Sequence, residues 1–283
     1  MAPKTVLITG CSSGIGRSTA LAFHEAGWDV YATARTPGDI EPLADRGMAT
    51  LELDVTEDAH VEAAVEAVVA EGGGIDCLVN NAGYAETAVV EDISIEALTA
   101  QFEVNTYGPL RLMRAALPHM REQESGTIVN VSSVGGRIAQ PGLGAYCASK
   151  FALEAFSDSC RVEVAQFGID VVLVEPGPVQ TPFEDKTAEL IDERHDPDHP
   201  YASVYEGLDE YNDSIAERGG HRPVAALMGA VTLSPDDIAR TILEAATAEQ
   251  PRARYAGSPI HRLMAMGDHL PDRVLDWVFK QAI

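Results

Sequence analysis

A tyrosine and a lysine four residues apart, Tyr146 and Lys150, have the clearest capacity for acid–base chemistry in this sequence. On a helix, residues four apart lie on one face, one turn from each other. A phenol with its ordinary pKa of about 10 exchanges protons poorly at neutral pH, but a nearby cation stabilises the phenolate and lowers that pKa. The spacing therefore predicts proton exchange with a substrate hydroxyl or carbonyl group. An exposed tyrosine and lysine without function is the alternative.

A glycine-rich segment near the N-terminus, Thr9–Gly16, has the composition of a phosphate-binding loop. It follows an apolar run and precedes a helical pattern. Glycines in that position let the backbone approach a pyrophosphate while the N–H groups of the helix point at it. The spacing is G-x-x-x-G-x-G rather than the general G-x-G-x-x-G. We interpret the segment as a dinucleotide-binding loop, and the alternative is a turn that binds nothing.

The end of the second apolar run bears on the choice between NAD(H) and NADP(H). Dinucleotide sites commonly carry an acid about 20 residues after the glycines, where it binds the ribose 2′-hydroxyl. This sequence has Ala34 followed by Arg35 instead. An acid would repel a 2′-phosphate, whereas an arginine would bind it. The pattern favours NADP(H) over NAD(H), with a surface arginine at a helix start as the alternative.

The glycine loop and the Tyr146–Lys150 pair, together with four further motifs, resemble those of the short-chain dehydrogenase/reductase family. The further motifs are Asn80–Gly83, Asn105, Ser132–Ser133 and Pro176–Thr181, and all of them occur in the family's order and spacing over residues 4 to 182. Within the family, the residues of these motifs are most similar to those of hydroxysteroid and retinol dehydrogenases. The resemblance implies reversible hydride transfer in which NADP(H) oxidises a secondary or allylic alcohol to its ketone or aldehyde, or reduces that carbonyl compound to the alcohol.

The resemblance also implies a role for each matching residue. Tyr146 would be the general acid/base, Lys150 would lower its pKa and hold the nicotinamide ribose, and Ser133 would hydrogen-bond the reacting oxygen. Asn105 would hold a water in a proton relay to Lys150. Besides Tyr146 and Lys150, the cofactor would contact Gly10, Ser12, Ser13, Gly14, Ile15, Gly16, Arg35, Asp54, Val55, Asn81, Ala82, Gly83, Pro176, Gly177, Val179 and Thr181.

The positions that would form the substrate pocket are mostly apolar. They are Ser133, Val134, Ile138, Leu143, Tyr146 and Phe183. An apolar lining favours a lipophilic substrate, and the resemblance implies a steroid-like, retinoid-like or long-chain compound. The family also implies a homodimer or homotetramer, and it needs no metal for its chemistry.

Alternating strand and helix patterns are expected to position these motifs. Short β-branched apolar runs predict strands, and longer runs with apolar positions three and four apart predict helices. The predicted strands are Thr5–Thr9, Asp29–Ala34, Ala49–Leu53, Cys77–Asn80, Thr127–Val131, Asp170–Val174 and Arg252–Ala256. The predicted helices between them are Ile15–Ala26, Asp58–Ala70, Ile95–Met120 and Leu143–Phe167. This alternation predicts one doubly wound, Rossmann-like α/β domain over residues 1–283, with about seven parallel strands and helices on both faces.

Two segments fall outside this alternation. Residues 183–232 are acidic, contain several prolines and are too long for a passive connection, so we predict a substrate lid. The tail, residues 258–283, reads as one or two amphipathic helices broken near Pro271. Within the lid, His195–His199 holds two histidines and two carboxylates, but Pro197 prevents a regular helix there. We predict a solvated acidic loop rather than a metal site.

The overall charge excludes several kinds of partner. The chain has 283 residues, with 20 Lys and Arg against 44 Asp and Glu, and therefore a net charge of −24. Such a surface repels nucleic-acid phosphates and anionic lipids. No apolar run is long enough for a membrane helix or a signal peptide, and the four cysteines have no metal or disulfide spacing. We expect a cytoplasmic protein with free thiols. The excess acid also suggests a halophilic organism, because salt would screen the self-repulsion.

Two other functions remain compatible with parts of the sequence. An NAD(P)-binding regulatory or structural protein without turnover would share the fold, but it would have no need of Asn105, Ser133, Tyr146 and Lys150 together. Epimerases and dehydratases of a related group also use Tyr-x-x-x-Lys. Their glycine loop normally has the spacing G-x-x-G-x-x-G, which this chain lacks.

Overall fold

A parallel sheet of seven strands, in the order β3-β2-β1-β4-β5-β6-β7, forms the centre of the computed structural model. The structure describes residues 3–192, 196, 198–217 and 229–280. The strands are β1 Thr5–Ile8, β2 Asp29–Ala34, β3 Ala49–Glu52, β4 Cys77–Asn80, β5 Gly126–Val131, β6 Ile169–Glu175 and β7 Arg254–Ala256. The strand order reverses between β1 and β4, and in such sheets the ligand crevice lies at that switch point, beyond the carboxyl ends of the strands.

Both faces of the sheet are covered by helices. The helices are α1 Gly14–Glu25, α2 Glu41–Ala44, α3 Asp58–Gly72, α4 Ile95–Phe102, α5 Gly108–Gln123, α6 Gly144–Val164, α7 Pro182–Asp192, α8 Ala202–Glu217, α9 Pro235–Thr247, α10 Pro259–Ala265 and α11 Asp272–Lys280. Alternate residues of β1 show the layering. Val6 and Ile8 pack with side chains of α1 and α9, whereas Leu7 packs with side chains of α3, α5 and α6. This burial on both sides explains why the strands are almost entirely apolar.

The predicted doubly wound parallel fold is confirmed, and it forms one domain. The predicted helix over Ile95–Met120 is wrong in one respect, because a π-helical turn at Glu103–Tyr107 separates α4 from α5. Pro109 follows this turn and has no N–H group, so it cannot donate the regular helical hydrogen bond to the carbonyl of residue 105. Asn105 therefore lies in the π turn rather than inside a regular helix.

The segment after β6 contains two helices that the sequence patterns did not predict, α7 and α8. They pack around Tyr205, which is fully buried against Val89 and Leu208. Val89 belongs to the loop after β4, more than 100 residues earlier, and the hydroxyl of Tyr205 donates to Asp92 Oδ2 of that loop at 2.5 Å. Within the described residues, no helix has the length and apolar character that crossing a membrane requires.

One arginine attaches the edge strand β7 to the rest of the sheet. Arg254 donates to Glu154 and Asp158 of α6, at 2.8 and 2.7 Å, and to Glu175 of β6 at 3.0 Å. Three carboxylates thus share one guanidinium. Burial and the charge of Glu154 raise the pKa of Glu175 to about 7, because together they outweigh the attraction of Arg254 and Arg137.

Glu175→Gln is expected to stabilise the protein above neutral pH. A carboxyl group whose folded-state pKa is raised contributes stability that is present below its ordinary pKa and is lost as the pH rises through about 7. At about pH 8, Glu175 of the wild type is ionised, and its buried charge destabilises the folded protein. Gln carries no charge, so we expect the Tm of Glu175→Gln to be about 2–6 °C higher than that of the wild type. At about pH 4, below the ordinary pKa of a glutamate, Glu175 is largely protonated in both the folded and the unfolded protein, and the two melting temperatures should nearly coincide.

Thermal unfolding of both proteins at the two pH values checks this expectation. Glu244→Gln is the matched control, because Glu244 also pairs with an arginine, Arg252, but is exposed. An equal Tm difference for Glu175→Gln at both pH values would contradict the expectation.

Candidate active site

A cleft of about 550 Å³ lies at the carboxyl ends of the strands. The loops after β1, β2, β3, β4, β5 and β6 all contribute to it, as the parallel order requires. Its lining includes nearly all of the residues predicted to bind the cofactor, namely Gly10, Ser12, Ser13, Gly14, Ile15, Arg35, Asp54, Val55, Asn81, Ala82, Gly83, Tyr146, Lys150, Pro176, Gly177, Val179 and Thr181.

Gly16 is the one predicted cofactor residue that does not line the cleft, and its backbone contacts explain why it is glycine. A Cβ atom there would lie 2.1 Å from Gly10 O and 2.5 Å from Asn81 Nδ2. Asn81 Nδ2 in turn donates to Thr9 O at 2.9 Å. Gly16 therefore lets α1 start close to the loop after β4, which keeps the glycine loop narrow.

The glycine loop fits an anionic cofactor. Gly14 has φ +52°, and a Cβ atom there would lie only 3.2 Å from the side chain of Thr181. Both observations favour glycine, whose backbone carries no side chain that would keep a ligand away. The N-cap Ser13 makes no side-chain capping bond, and the first turn of α1 contains no acid. The first N–H groups of α1 are thus left to a negatively charged group from the cleft.

The 2′-phosphate position predicted from Arg35 is bordered by acids as well. Arg35 is exposed at the cleft, and Asp39 and Asp54 line the same region. Burial raises the pKa of Asp54, but hydrogen bonds from Thr56 and the charges of Arg35 and His60 outweigh it, so the net pKa is lowered. Asp54 is thus ionised, and the charge of Arg35 lies close enough to affect it. No motif in the sequence had indicated that Asp39 would line the cleft.

Tyr146 and Lys150 both lie on α6 and face the cleft. The ammonium Nζ of Lys150 is 5.9 Å from the centre of the Tyr146 ring and donates to Val131 O at 2.8 Å. Burial lowers the pKa of Lys150 to about 8, although the charge of Glu154 acts in the opposite direction. The pair predicted from its spacing is therefore brought together at one wall of the cleft.

Asn105 reaches the same wall from the π turn. Its Nδ2 donates to Tyr84 O at 2.9 Å and to Ser149 Oγ at 3.2 Å, and its Oδ1 accepts from Tyr84 N at 3.1 Å. A Cβ atom on Gly83 would lie 3.1 Å from Asn105 Oδ1 and 3.6 Å from Lys150 Nζ. The amide oxygen and the ammonium thus border one small space, although Asn105 itself does not line the cleft.

A second cavity of about 100 Å³ adjoins the cleft. Ser133, Tyr146, Gly177 and Phe183 line both cavities, so the proposed reacting groups lie at their junction. The rings of Tyr146 and Phe183 pack edge to face, 5.7 Å apart. The predicted pocket residues Val134 and Leu143 also line this cavity. Its other lining residues, which the sequence analysis missed, are Ala85, Thr87, Gln140, Pro178, Thr187, Ile191, Leu208, Tyr211 and Asn212.

Ile138, predicted in the substrate pocket, lies elsewhere. It lines neither cavity, and its side chain instead lies against Gly267, after α10. The chain makes a 3₁₀ turn at Val134–Gly136, between Ser133 and Ile138, and Ile138 then lies away from both cavities.

A buried histidine from the tail supports the loop after β6. His261 is fully buried, its Nδ1 accepts from Gly177 N at 3.0 Å, and its Nε2 lies 3.0 Å from Val231 O. Burial lowers its pKa, which favours the neutral ring that this pattern needs. His261 thus joins the tail, the segment before α9 and the Pro176–Val179 loop.

The acidic loop at His195–His199 is only partly described, because His195 and Pro197 lie outside the described residues. His199 Nε2 lies 3.5 Å from Asp92 Oδ1, and its ring packs against Tyr205. Over the ranges that the structure describes, no three His, Cys, Asp or Glu side chains converge as metal ligands would.

The chain is similar in sequence and in fold to several known proteins. Residues 4–191 match the family model of the short chain dehydrogenases. Bovine retinol dehydrogenase 8 is 36% identical over 279 residues, which are 94% of this chain and 86% of that protein. An NADPH-dependent 3-dehydrocapnine reductase of Ornithobacterium rhinotracheale is 32% identical over 286 residues, covering 98% of this chain and 96% of that protein. A solved short-chain dehydrogenase from Streptomyces avermitilis is 31% identical with a TM-score of 0.78, covering 99% of this chain and 96% of the other.

Proposed function

The chain belongs to the short-chain dehydrogenase family of oxidoreductases, and from that premise we propose that it interconverts an alcohol and its carbonyl compound with NADP(H). The alcohol is secondary or allylic, and the product is a ketone or an aldehyde. The observation that carries the proposal is the position of Ser133 and Tyr146 at the junction of two cavities, with Lys150 behind them. One cavity suits a dinucleotide, and the other suits the reacting end of a substrate.

The cofactor site follows the strand ends. The glycine loop would hold the pyrophosphate, Asp54 and Val55 the adenine, and Arg35 the 2′-phosphate. The Pro176–Thr181 loop would hold the nicotinamide ring against the substrate. When bound, the nicotinamide supplies or accepts the hydride. The NADPH named for the Ornithobacterium relative supports this choice of cofactor.

The side chains around the junction would move the proton. In reduction, the Tyr146 hydroxyl donates its proton to the carbonyl oxygen, and in oxidation the phenolate takes it back from the alcohol. The ammonium of Lys150 stabilises the phenolate, and the Ser133 hydroxyl donates a hydrogen bond to the reacting oxygen. A water held at Asn105 Oδ1 would connect Lys150 with solvent and restore the proton.

We further propose a lipophilic substrate, covered by the segment 183–232 and by the tail 258–283. Residues 193–195, 197 and 218–228 of that segment and 281–283 of the tail lie outside the described residues. Val134, Leu143, Phe183, Ile191 and Leu208 give the second cavity an apolar wall, and the name of the bovine relative refers to a retinoid alcohol. The cavity holds only part of such a molecule, so the remainder would lie against α7, α8 and the tail. The proposal also includes that the protein forms a symmetric homo-oligomer and that its acidic surface is an adaptation to a salty cytoplasm.

A panel of carbonyl compounds with NADPH and with NADH, followed by the absorbance of the reduced cofactor, tests the proposal. It would include a retinal, a steroid ketone, a long-chain aldehyde and a small polar ketone, at low salt and at about 1 M salt. We expect turnover of the apolar compounds with NADPH, at a higher rate in salt. Faster turnover with NADH would contradict the role of Arg35. Cofactor binding with no turnover of any compound would favour a regulatory protein instead.

A further inference from the structure

A row of alternating charges connects the edge of the sheet with the proposed active site. Arg254 of β7 donates to Glu154 Oε2 through Nε at 3.1 Å and Nη2 at 2.8 Å. Glu154 follows Lys150 by one turn of α6, and each of these two residues is only 5% exposed. Lys150 in turn follows Tyr146 by one turn. The row is thus cation, anion, cation and phenol.

The packing around Gly136 is tight beside the Glu154 end of this row. A Cβ atom on Gly136 would lie 2.7 Å from Ser132 Oγ, 3.1 Å from Glu154 Cγ and 3.3 Å from Lys150 O. The side chain of Glu154 therefore lies directly against the helical turn that carries Lys150. At sites as buried as those of Glu154 and Lys150, neighbouring charges affect each other more than they do in water.

Polar or charged groups face Glu154 from several neighbouring elements. Arg254 faces it from β7, Arg137 from the 3₁₀ turn after β5, and Glu175 from β6, while Lys150 and Asp158 lie on its own helix. Burial raises the pKa of Glu154, and the Ser132 hydroxyl and Arg254 act against that rise. Two hydrogen bonds from a guanidinium favour the ionised carboxylate.

We propose that Glu154 is a positioning residue whose carboxylate, fixed by Arg254, keeps the buried Lys150 protonated. Lys150 needs such help because its side chain is buried, and because the partner of its ammonium is an uncharged carbonyl oxygen, Val131 O. The consequence for catalysis rests on the proposed function, in which the phenolate of Tyr146 depends on a charged Lys150. The effect on the lysine itself does not depend on that function.

Carbon-13 NMR of the lysine side chains tests the proposal without a substrate. The chain contains only Lys4, Lys150, Lys186 and Lys280, so labelled lysine gives few signals, and the signal that disappears in Lys150→Arg belongs to Lys150. We expect Glu154→Gln to lower the titration midpoint of Lys150 by about one pH unit. The alkaline limb of kcat/KM for alcohol oxidation should shift downward by a similar amount, because it reports the loss of the protonated lysine.

Asp158→Asn is the matched control. Asp158 also accepts from Arg254, at 2.7 Å, but its side chain is 41% exposed, and we expect the Lys150 midpoint to move by less than about 0.3 unit. An unchanged midpoint in Glu154→Gln, or an equal shift in both variants, would overturn the proposal. A shifted midpoint in a protein that turns over no carbonyl compound would support the role of Glu154 and refute the proposed function.

Glu154→Asp provides the test if Glu154→Gln does not fold. Aspartate keeps the negative charge but is shorter, so the midpoint of Lys150 should stay near the wild-type value. If Glu154 acted only by filling space, water would enter beside the shorter side chain. The midpoint would then rise towards the ordinary lysine value of about 10.4, and that result would overturn the proposal.

Discussion

Tyr146→Phe is expected to lower kcat about a thousandfold, which is the range expected for the loss of a positioned general acid. The Kd for NADPH should change by less than about twofold, because phenylalanine keeps the aromatic ring and its packing. The ring of Tyr146 lies edge to face with Phe183, 5.7 Å away, and 5.9 Å from the ammonium of Lys150. Neither contact requires the hydroxyl group. The variant therefore removes the proton donor and preserves the walls of both cavities.

Steady-state kinetics with a substrate from the panel, together with NADPH fluorescence titration, checks this expectation. Tyr107→Phe is the control, since Tyr107 is partly exposed and does not line the cleft. It should leave both kcat and Kd unchanged. Retention of kcat in Tyr146→Phe would show that another group transfers the proton, and the enzymatic assignment of Tyr146 would then be wrong.

Arg35→Ala is expected to raise KM for NADPH about 10- to 100-fold and to leave KM for NADH within about threefold of the wild type. The arginine supplies the positive charge for a 2′-phosphate in a region that also holds Asp39 and Asp54. Without it, two carboxylates would face that phosphate. NADH has a 2′-hydroxyl there instead, which can donate a hydrogen bond to a carboxylate, so its binding is not weakened.

The comparison of KM values for both cofactors gives the readout. Arg46→Ala is the matched control, because Arg46 is exposed, does not line the cleft and changes the net charge by the same amount. An equal loss for NADPH and NADH in Arg35→Ala would contradict a role in phosphate recognition. A loss of similar size in Arg46→Ala would point to the overall charge of the protein instead.

Much of the cofactor cleft could be predicted from the sequence because strand order and motif order are linked. In a parallel sheet, every strand ends at the same edge, so residues that directly follow strands, such as Arg35 and Asn81, must come together there. The four-residue spacing of Tyr146 and Lys150 similarly defines a common helix face. Local patterns were enough for the glycine loop, Arg35 and the Tyr146–Lys150 pair, whereas the roles of Asn81 and the other cofactor residues came from the family resemblance.

The second cavity could not be predicted in the same way. Leu208 and Tyr211 of α8 reach it because Tyr205 packs against Val89 of a distant loop, and no local pattern reports such a contact. Ile138 shows the converse error, since its position near Ser133 in the sequence did not reveal the intervening 3₁₀ turn. The partnership of Glu154 with Arg254 spans 100 residues, and no local pattern in the sequence indicates it.

The long separation of these partners has a consequence for biosynthesis. Glu154 and Glu175 leave the ribosome 100 and 79 residues before Arg254, and Gly177 precedes its partner His261 by 84 residues. Until those later residues emerge, burying the two acids would leave them without this guanidinium, so in the nascent chain they are better solvated than packed. We therefore expect the N-terminal strands to associate during translation, while the wall of the cleft formed by β6 becomes ordered only near the end of synthesis.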